Sequence, residues 1–211
     1  LSALRNNPER PYVAITSGSK ITTKIGILEY LLQTVDTLCL GGKIANVFLA
    51  AKGTWPNMAF TTDEIAVAKH LLEEYGEKIM LPVDVVIGND DGSYMQTIEA
   101  GYIPEHVGGV WDVGPKSVEN ILQACSGAKT IIWNGPLGKV EVPAYEAGTR
   151  ALLDALSTNT AYRVVGGGDT VNMLEKYNKI SAFDHVSVGG GAMLEFLEGK
   201  RLPGLEALKI Q

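Results

Sequence analysis

"RVVGGGDTV", residues 163–171, carries an apolar run into three consecutive glycines and then a carboxylate. "HVSVGGGAM", residues 185–193, does nearly the same a little further on. Glycine costs conformational entropy that an ordinary turn does not require. Three other β-branched runs end alike: "YVAIT" (12–16) meets "SGSK", "TLCL" (37–40) meets "GGK", and "TIIW" (130–133) meets "NGPLG". With "YRVV" (162–165) and "HVSV" (185–188), five strand candidates run into glycine turns that open helical windows. A sixth strand candidate is "VDVVI" (83–87).

These runs are almost continuously apolar, as strands covered on both faces are. Between them Ile25, Leu28, Leu31, Leu32 and Val35 follow helical spacing. So do Ile65, Ala68, Leu71, Leu72 and Tyr75, behind the capping-box pattern Thr61-x-x-Glu64. A third window holds Tyr145, Thr149, Leu152, Leu153 and Leu156. The alternation predicts an α/β fold: a three-layer, Rossmann-like domain with a mainly parallel sheet of about six strands and helices on both faces. The polar, glycine-punctuated stretch 88–108 reads as an excursion off that sheet.

In a parallel sheet the five glycine turns share one edge, where ligands of such folds bind. Helix N-termini there offer free N–H groups and positive dipole ends, and glycine lets a phosphate approach them. Lys20 and Lys24, four apart, place two cations at that edge; a solvated surface pair is the other reading. Asp169 beside phosphates needs a cation between, and Mg²⁺ carried in on a polyphosphate supplies one. Asp169 also suits a helix N-cap, and the two roles are compatible.

Other classes are excluded or poorly supported. The chain of 211 residues has a net charge of −6 and no basic stripe, which argues against nucleic acid. No apolar run reaches the ~20 residues of a membrane span. Cys39 and Cys125 form no C-x-x-C and read as buried thiols of a reducing compartment, so a cytoplasmic protein is expected. G-x-x-x-x-G-K-[ST] is absent, and no G-x-G-x-x-G follows the first strand, which tells against a P-loop NTPase and an NAD-linked oxidoreductase. His70, His106 and His185 lie outside the glycine turns, so no histidine base is expected.

Taken together, "RPYVAITSGSKITTKIGILEYLL", "LPVDVV", "WDVGP", "TIIWNGPLGKVEVPAYEAGT", "VVGGGDT" and "HVSVGGGAMLEFLEGKRLPGLEAL" resemble the C-terminal, nucleotide-binding domain of the phosphoglycerate kinase family, over nearly the whole chain. The resemblance implies reversible phosphoryl transfer between ATP and 3-phosphoglycerate, with Mg²⁺ accompanying ATP or ADP. It also implies a monomer whose phosphoglycerate site belongs to an absent N-terminal domain. Residues 1–11 would be a remnant of the interdomain helix and linker, 12–200 the nucleotide-binding domain and 201–211 the C-terminal tail.

By motif, Lys20 resembles the lysine that follows the migrating phosphoryl group and Lys24 the one on the nucleotide phosphates. Gly18 and Ser19 would flank the nucleoside. Asn134 and Pro136 would border the nucleotide, and Glu141 would bond the ribose. Gly167, Gly168 and Thr170 would meet the phosphates, Asp169 would serve the metal, and Gly189, Gly190 and Gly191 would face the phosphoryl group in flight. Gly42 and Val110 would lie at the base. The family's first turn usually reads Gly-Gly-Ala-Lys, where this chain has Ser17-Gly18-Ser19-Lys20, and Thr23 replaces an acidic residue. Lys43 follows Gly41 and Gly42 where a third glycine is usual, Val110 replaces a glycine, and Val188 stands for a threonine. These departures bear on nucleotide affinity and selectivity more than on the fold. They also keep open a second reading, a divergent nucleotide-binding module without catalysis.

Overall fold

The computed structural model describes residues 1–18, 21, 24–55 and 60–208. In chain order the elements are α1 (Ser2–Asn6), β1 (Tyr12–Thr16), α2 (Ile25–Thr34), β2 (Thr37–Leu40), α3 (Gly42–Ala51), α4 (Thr62–Tyr75), β3 (Ile79–Met80), β4 (Asp84–Ile87), β5 (Gln96–Glu99) and β6 (Val110–Val113). There follow α5 (Pro115–Ser126), β7 (Thr130–Asn134), α6 (Ala147–Leu156), β8 (Tyr162–Gly166), α7 (Gly168–Lys176), β9 (His185–Ser187), α8 (Gly190–Leu197) and α9 (Pro203–Leu208).

Six strands form a parallel sheet in the order β3-β2-β1-β7-β8-β9. Successive side chains of a strand point to opposite faces, and the core divides accordingly. Ala14, Leu38, Leu40, Ile132 and Val164 pack with α2, α3 and α8 on one face. Val13, Ile15, Cys39, Ile131, Trp133 and Val165 pack with α5, α6 and α7 on the other. This is the three-layer arrangement expected from the apolar runs. The chain leaves β1 toward β2 in its first half and returns through β7 to β8 in its second. The sheet therefore has a topological switch point between β1 and β7, where open α/β sheets bind ligands. Both cysteines are buried free thiols.

One strand is not where the sequence put it. Residues 83–87 do not join the parallel sheet; its sixth strand is the two-residue β3. β4 instead sits at the centre of a separate antiparallel sheet, β5-β4-β6. Both faces of β4 are buried, so its sequence looks like that of a parallel-sheet strand. Val85 and Ile87 pack with Leu49 of α3 and Trp55. Stretch 88–108 is partly the excursion expected, but it contains the mostly exposed β5.

Local sequence rules hold where they were specific. Thr61 and Glu64 close a reciprocal capping box on α4. The buried Asp84 carboxylate of β4 accepts from Lys116 N (3.1 Å), Ser117 N (2.7 Å) and Ser117 Oγ (2.6 Å), so a strand caps the first turn of α5. Among the described residues no helix is long and apolar enough to cross a membrane.

Asp112 of β6 is also buried. Its carboxylate accepts from Val113 N (2.9 Å) and from Gly148 N of α6 (2.8 Å). Burial nevertheless outweighs those two bonds and pushes its carboxyl up to about 7. Folding thus favours the protonated acid. That contribution is complete below the unfolded value near ~4 and is lost as pH rises to about 7. Asp112→Asn cannot ionise, although it leaves one of the two N–H groups without its acceptor. Compared by urea unfolding, the wild type is expected to lose on the order of 4 kcal/mol relative to this variant between pH 4 and 7. Parallel stability curves would show that Asp112 is ionised throughout.

Candidate functional site

The site is set by strand register. Leu40 pairs with Thr16, Thr16 with Asn134, Asn134 with Gly166, and Gly166 with Ser187. The last residues of β2, β1, β7, β8 and β9 therefore form one row, and the glycine turns leave from it side by side. Neighbouring strands lie ~4.8 Å apart, so the three steps from β2 to β8 span about 14 Å. Along this edge runs an open cleft of about 460 Å³.

Most residues singled out from the sequence line this cleft: Gly18, Lys24, Gly42, Val110, Asn134, Pro136, Glu141, Gly167, Gly168, Asp169 and Thr170. Ser19 and Lys20 lie outside the described residues, as does Thr23. Gly189, Gly190 and Gly191 are not in the cleft wall but stand next to it. A Cβ on Gly190 would fall onto the Cα of Gly167, so the two triplets are packed backbone to backbone. Gly167 also has φ +101°, a conformation L side chains rarely adopt, and it caps α7. A Cβ on Gly191 would meet only open space.

Between the triplets sits Asn134. Its Nδ2 is 3.3 Å from the position a Cβ would take on Gly167 and 3.2 Å from that on Gly190. This buried amide N–H₂ has no hydrogen-bond partner among the described residues. Such a donor is costly unless something accepts from it. On its other side Asn134 Oδ1 accepts from Lys24 Nζ (3.3 Å), which also donates to Ser17 O (2.5 Å). No carboxylate pairs with Lys24 among the described ion pairs. Burial holds its ammonium below the usual lysine range. An anion beside it would reverse that shift.

Thr170 is fully buried, and its Oγ1 accepts from Gly135 N (2.9 Å), joining the first turn of α7 to the loop after β7. Ser17 Oγ donates to Pro136 O, tying β1 to the same loop. Asp169 is exposed in the first turn of α7 and makes no capping bond, since the N-cap is Gly167. Lys24 occupies the N-cap of α2, also without a side-chain cap bond. Glu141 is exposed on the cleft rim.

Six lining residues were not among the candidates: Ser17, Lys43, Trp111, Gly135, Gly138 and Lys139. Trp111 Nε1 donates to Gly88 O (2.8 Å), and its ring stacks on Tyr145 with centroids 6.0 Å apart. Lys139 Nζ lies 4.8 Å from the indole centroid and pairs with Asp90. The one available signal was adjacency: Trp111 follows Val110, and Lys139 falls between Pro136 and Glu141. The three histidines line no part of the cleft.

A doubly wound parallel sheet with glycine-led helix N-termini, a half-buried lysine that pairs with no carboxylate among the described ion pairs, and an open cleft at its switch point defines an α/β domain of the doubly wound class, with an edge whose chemistry suits anions. The phosphoglycerate kinase family model matches residues 1–200, and the chain belongs to that family. It is 42% identical to the phosphoglycerate kinase of Synechococcus sp. strain JA-3-3Ab, over 99% of this chain and 52% of the relative. It is also 42% identical to that of Chloroflexus aurantiacus strain J-10-fl, over 97% of this chain and 53% of the relative. The solved phosphoglycerate kinase of Coxiella burnetii superposes with a TM-score of 0.89 at 39% identity, covering 97% of this chain and 54% of that one. That of Pyrococcus horikoshii gives 0.87 at 28% identity, covering 99% and 54%. The chain thus spans about half the length of the relatives it matches.

The packed triplets yield a paired test. Gly190→Ala is expected to cost roughly 1–3 kcal/mol, because its methyl must displace backbone. Gly191→Ala is expected to be neutral or slightly stabilising, since a helical glycine with open space gains from Ala. Equal effects of the two in urea unfolding would mean that the triplets do not touch in solution.

Proposed function

We propose that this chain is the nucleotide-binding half of a phosphoglycerate kinase, acting with a second half that holds the acceptor. The reaction is reversible phosphoryl transfer between ATP and 3-phosphoglycerate, giving ADP and 1,3-bisphosphoglycerate. One observation carries this reading: beside the N-termini of α7 and α8, Lys24 and Asn134 offer a cation and a spare amide donor, and no carboxylate pairs with either among the described residues.

In the assigned roles, Lys24 and the amides of Gly167, Gly168 and Thr170 face the donor phosphates. Gly18, Ser19 and Pro136 border the nucleoside, and Glu141 bonds the ribose. Gly189, Gly190 and Gly191 present the N-terminus of α8 to the phosphoryl group in flight, the group that the resemblance also assigns to Lys20. In the forward step a carboxylate oxygen of the acceptor forms a bond to the γ-phosphorus. The bond to the β–γ bridging oxygen breaks, and ADP leaves with its electron pair. A carboxylate is already ionised at neutral pH, so no general base is needed, and no histidine lines the cleft. Catalysis rests on positioning and on charge stabilisation of a loose transition state.

In this reading Asp169 is the carboxylate that would hold Mg²⁺. Among the described residues no cluster of three His, Cys, Asp or Glu side chains could bind a metal alone. A single exposed carboxylate on the cleft rim suits an ion that brings its other ligands from phosphate and water. When bound, the ion neutralises phosphate charge.

Asp169→Asn is expected to weaken binding of Mg-ADP about tenfold and of metal-free ADP less than twofold, by titration calorimetry. Equal losses would remove Asp169 from the metal role. In a coupled assay the chain alone is expected to bind Mg-ADP weakly and produce no 1,3-bisphosphoglycerate. With the acceptor site assigned to the other half, the attacking carboxylate is not aligned, a deficit worth ~7–11 kcal/mol. Turnover is expected only with the acceptor-binding half present. Turnover by the chain alone would overturn this division of the site. Binding without turnover in the joined protein would favour the non-catalytic reading.

A further inference from the structure

The end of the cleft farthest from the glycine triplets lies between the start of α3 and the antiparallel sheet. It is walled by Gly42, Lys43, Val110, Trp111 and Lys139. If the triplets take phosphates, as proposed above, this end takes the base.

Its chemistry is one-sided. Lys43 stands in the first turn of α3, where the positive dipole end disfavours a cation and where no acidic residue compensates it. It is exposed and joins no ion pair among those described. Lys139 adds a second ammonium, held at the Trp111 ring by the cation–π contact and by Asp90. The indole itself is fixed by its bond to Gly88 O and by Tyr145, and Val110 is fixed through Asn46 Nδ2 to Val110 O (3.1 Å). A lysine donates three hydrogen bonds and accepts none. Adenine places an amine, itself a donor, at the 6-position beside its N7 acceptor. A 6-oxopurine places two acceptors there, O6 and N7, and lysine is a common partner of that pair.

We propose that the base end of this cleft selects a 6-oxopurine nucleotide, guanine or hypoxanthine, over adenine, and that Lys43 and Lys139 read the O6/N7 edge. The inference rests on the nucleotide-binding reading. It leaves the phosphoryl chemistry unchanged, because the two lysines stand at the opposite end of the cleft from the triplets.

The test is calorimetry of this chain with Mg-GDP, Mg-IDP and Mg-ADP. GDP and IDP are each expected to bind about tenfold more tightly than ADP. Similar values for GDP and IDP are expected because the guanine 2-amino group plays no part. In Lys43→Met/Lys139→Met the preference is expected to fall below threefold, with ADP affinity kept or improved. ADP bound as tightly as GDP by the wild type would overturn the inference while leaving the kinase reading intact. A preference that survives in the double variant would overturn the role of the two lysines. Failure of all three nucleotides to bind would overturn the kinase reading itself.

Discussion

The row of paired residues Leu40, Thr16, Asn134, Gly166 and Ser187 is the constraint on which the site depends. Parallel strands must be joined by long crossovers, and each crossover begins where its strand ends. Because five strands end on one row, their turns and the helices that follow are brought to one edge. A shift of one residue in any pair would move the turn by ~3.3 Å and reverse which face each side chain meets. The alternation of Val13, Ala14 and Ile15 between two separate cores makes such a shift expensive. Core packing therefore sets the geometry of groups that do not belong to the core.

What the row assembles is an excess of donors. The Asn134 amide, the Lys24 ammonium and the first-turn amides of α7 and α8 converge with few acceptors among them. Elsewhere the protein supplies carboxylates where cations and helix ends need them: Asp84 on α5, Glu146 on Lys176 and Tyr177, Asp184 on Arg163. Among the described residues the carboxylates that line the cleft, Asp169 and Glu141, are exposed on its rim. A donor-rich edge of this kind is held ready for an anion at the cost of leaving polar groups unmatched in its absence.

Most of the fold and the gathering of the glycine turns at one edge were legible in the sequence because they depend on local rules. Thr61 and Glu64 announce a helix start by spacing alone, and glycine after a β-branched run announces a bare turn. Strand 83–87 was placed in the wrong sheet because burial on both faces leaves the same apolar signature whether a helix or a sheet supplies the cover. β5 went unseen for the opposite reason: three of its four residues are exposed, so it has no hydrophobic pattern. The packing of Gly190 on Gly167 could not be read either, since it joins turns that only the β8–β9 pairing brings together. Trp111 and Lys139 escaped notice because their meeting depends on a second sheet that the sequence did not reveal.

That second sheet gives the cleft a divided construction. One end of the cleft is built from backbone at the edge of the parallel sheet, where a Cβ on Gly190 would fall on the Cα of Gly167 and where Gly167 itself has a φ of +101°. Its far end is built from side chains: Val110 and Trp111 on β6, Lys43 on α3 and Lys139 on the loop after β7. Substitutions there alter what the wall offers without touching the strand register or the triplets. Backbone geometry is shared with relatives at 28% identity and a TM-score of 0.87, so it tolerates wide sequence change elsewhere. The departures at Lys43 and Val110 fall at the end of the cleft where change is cheapest for the fold. The physical division between a backbone end and a side-chain end lets the side chains of one end change while the backbone of the other is kept.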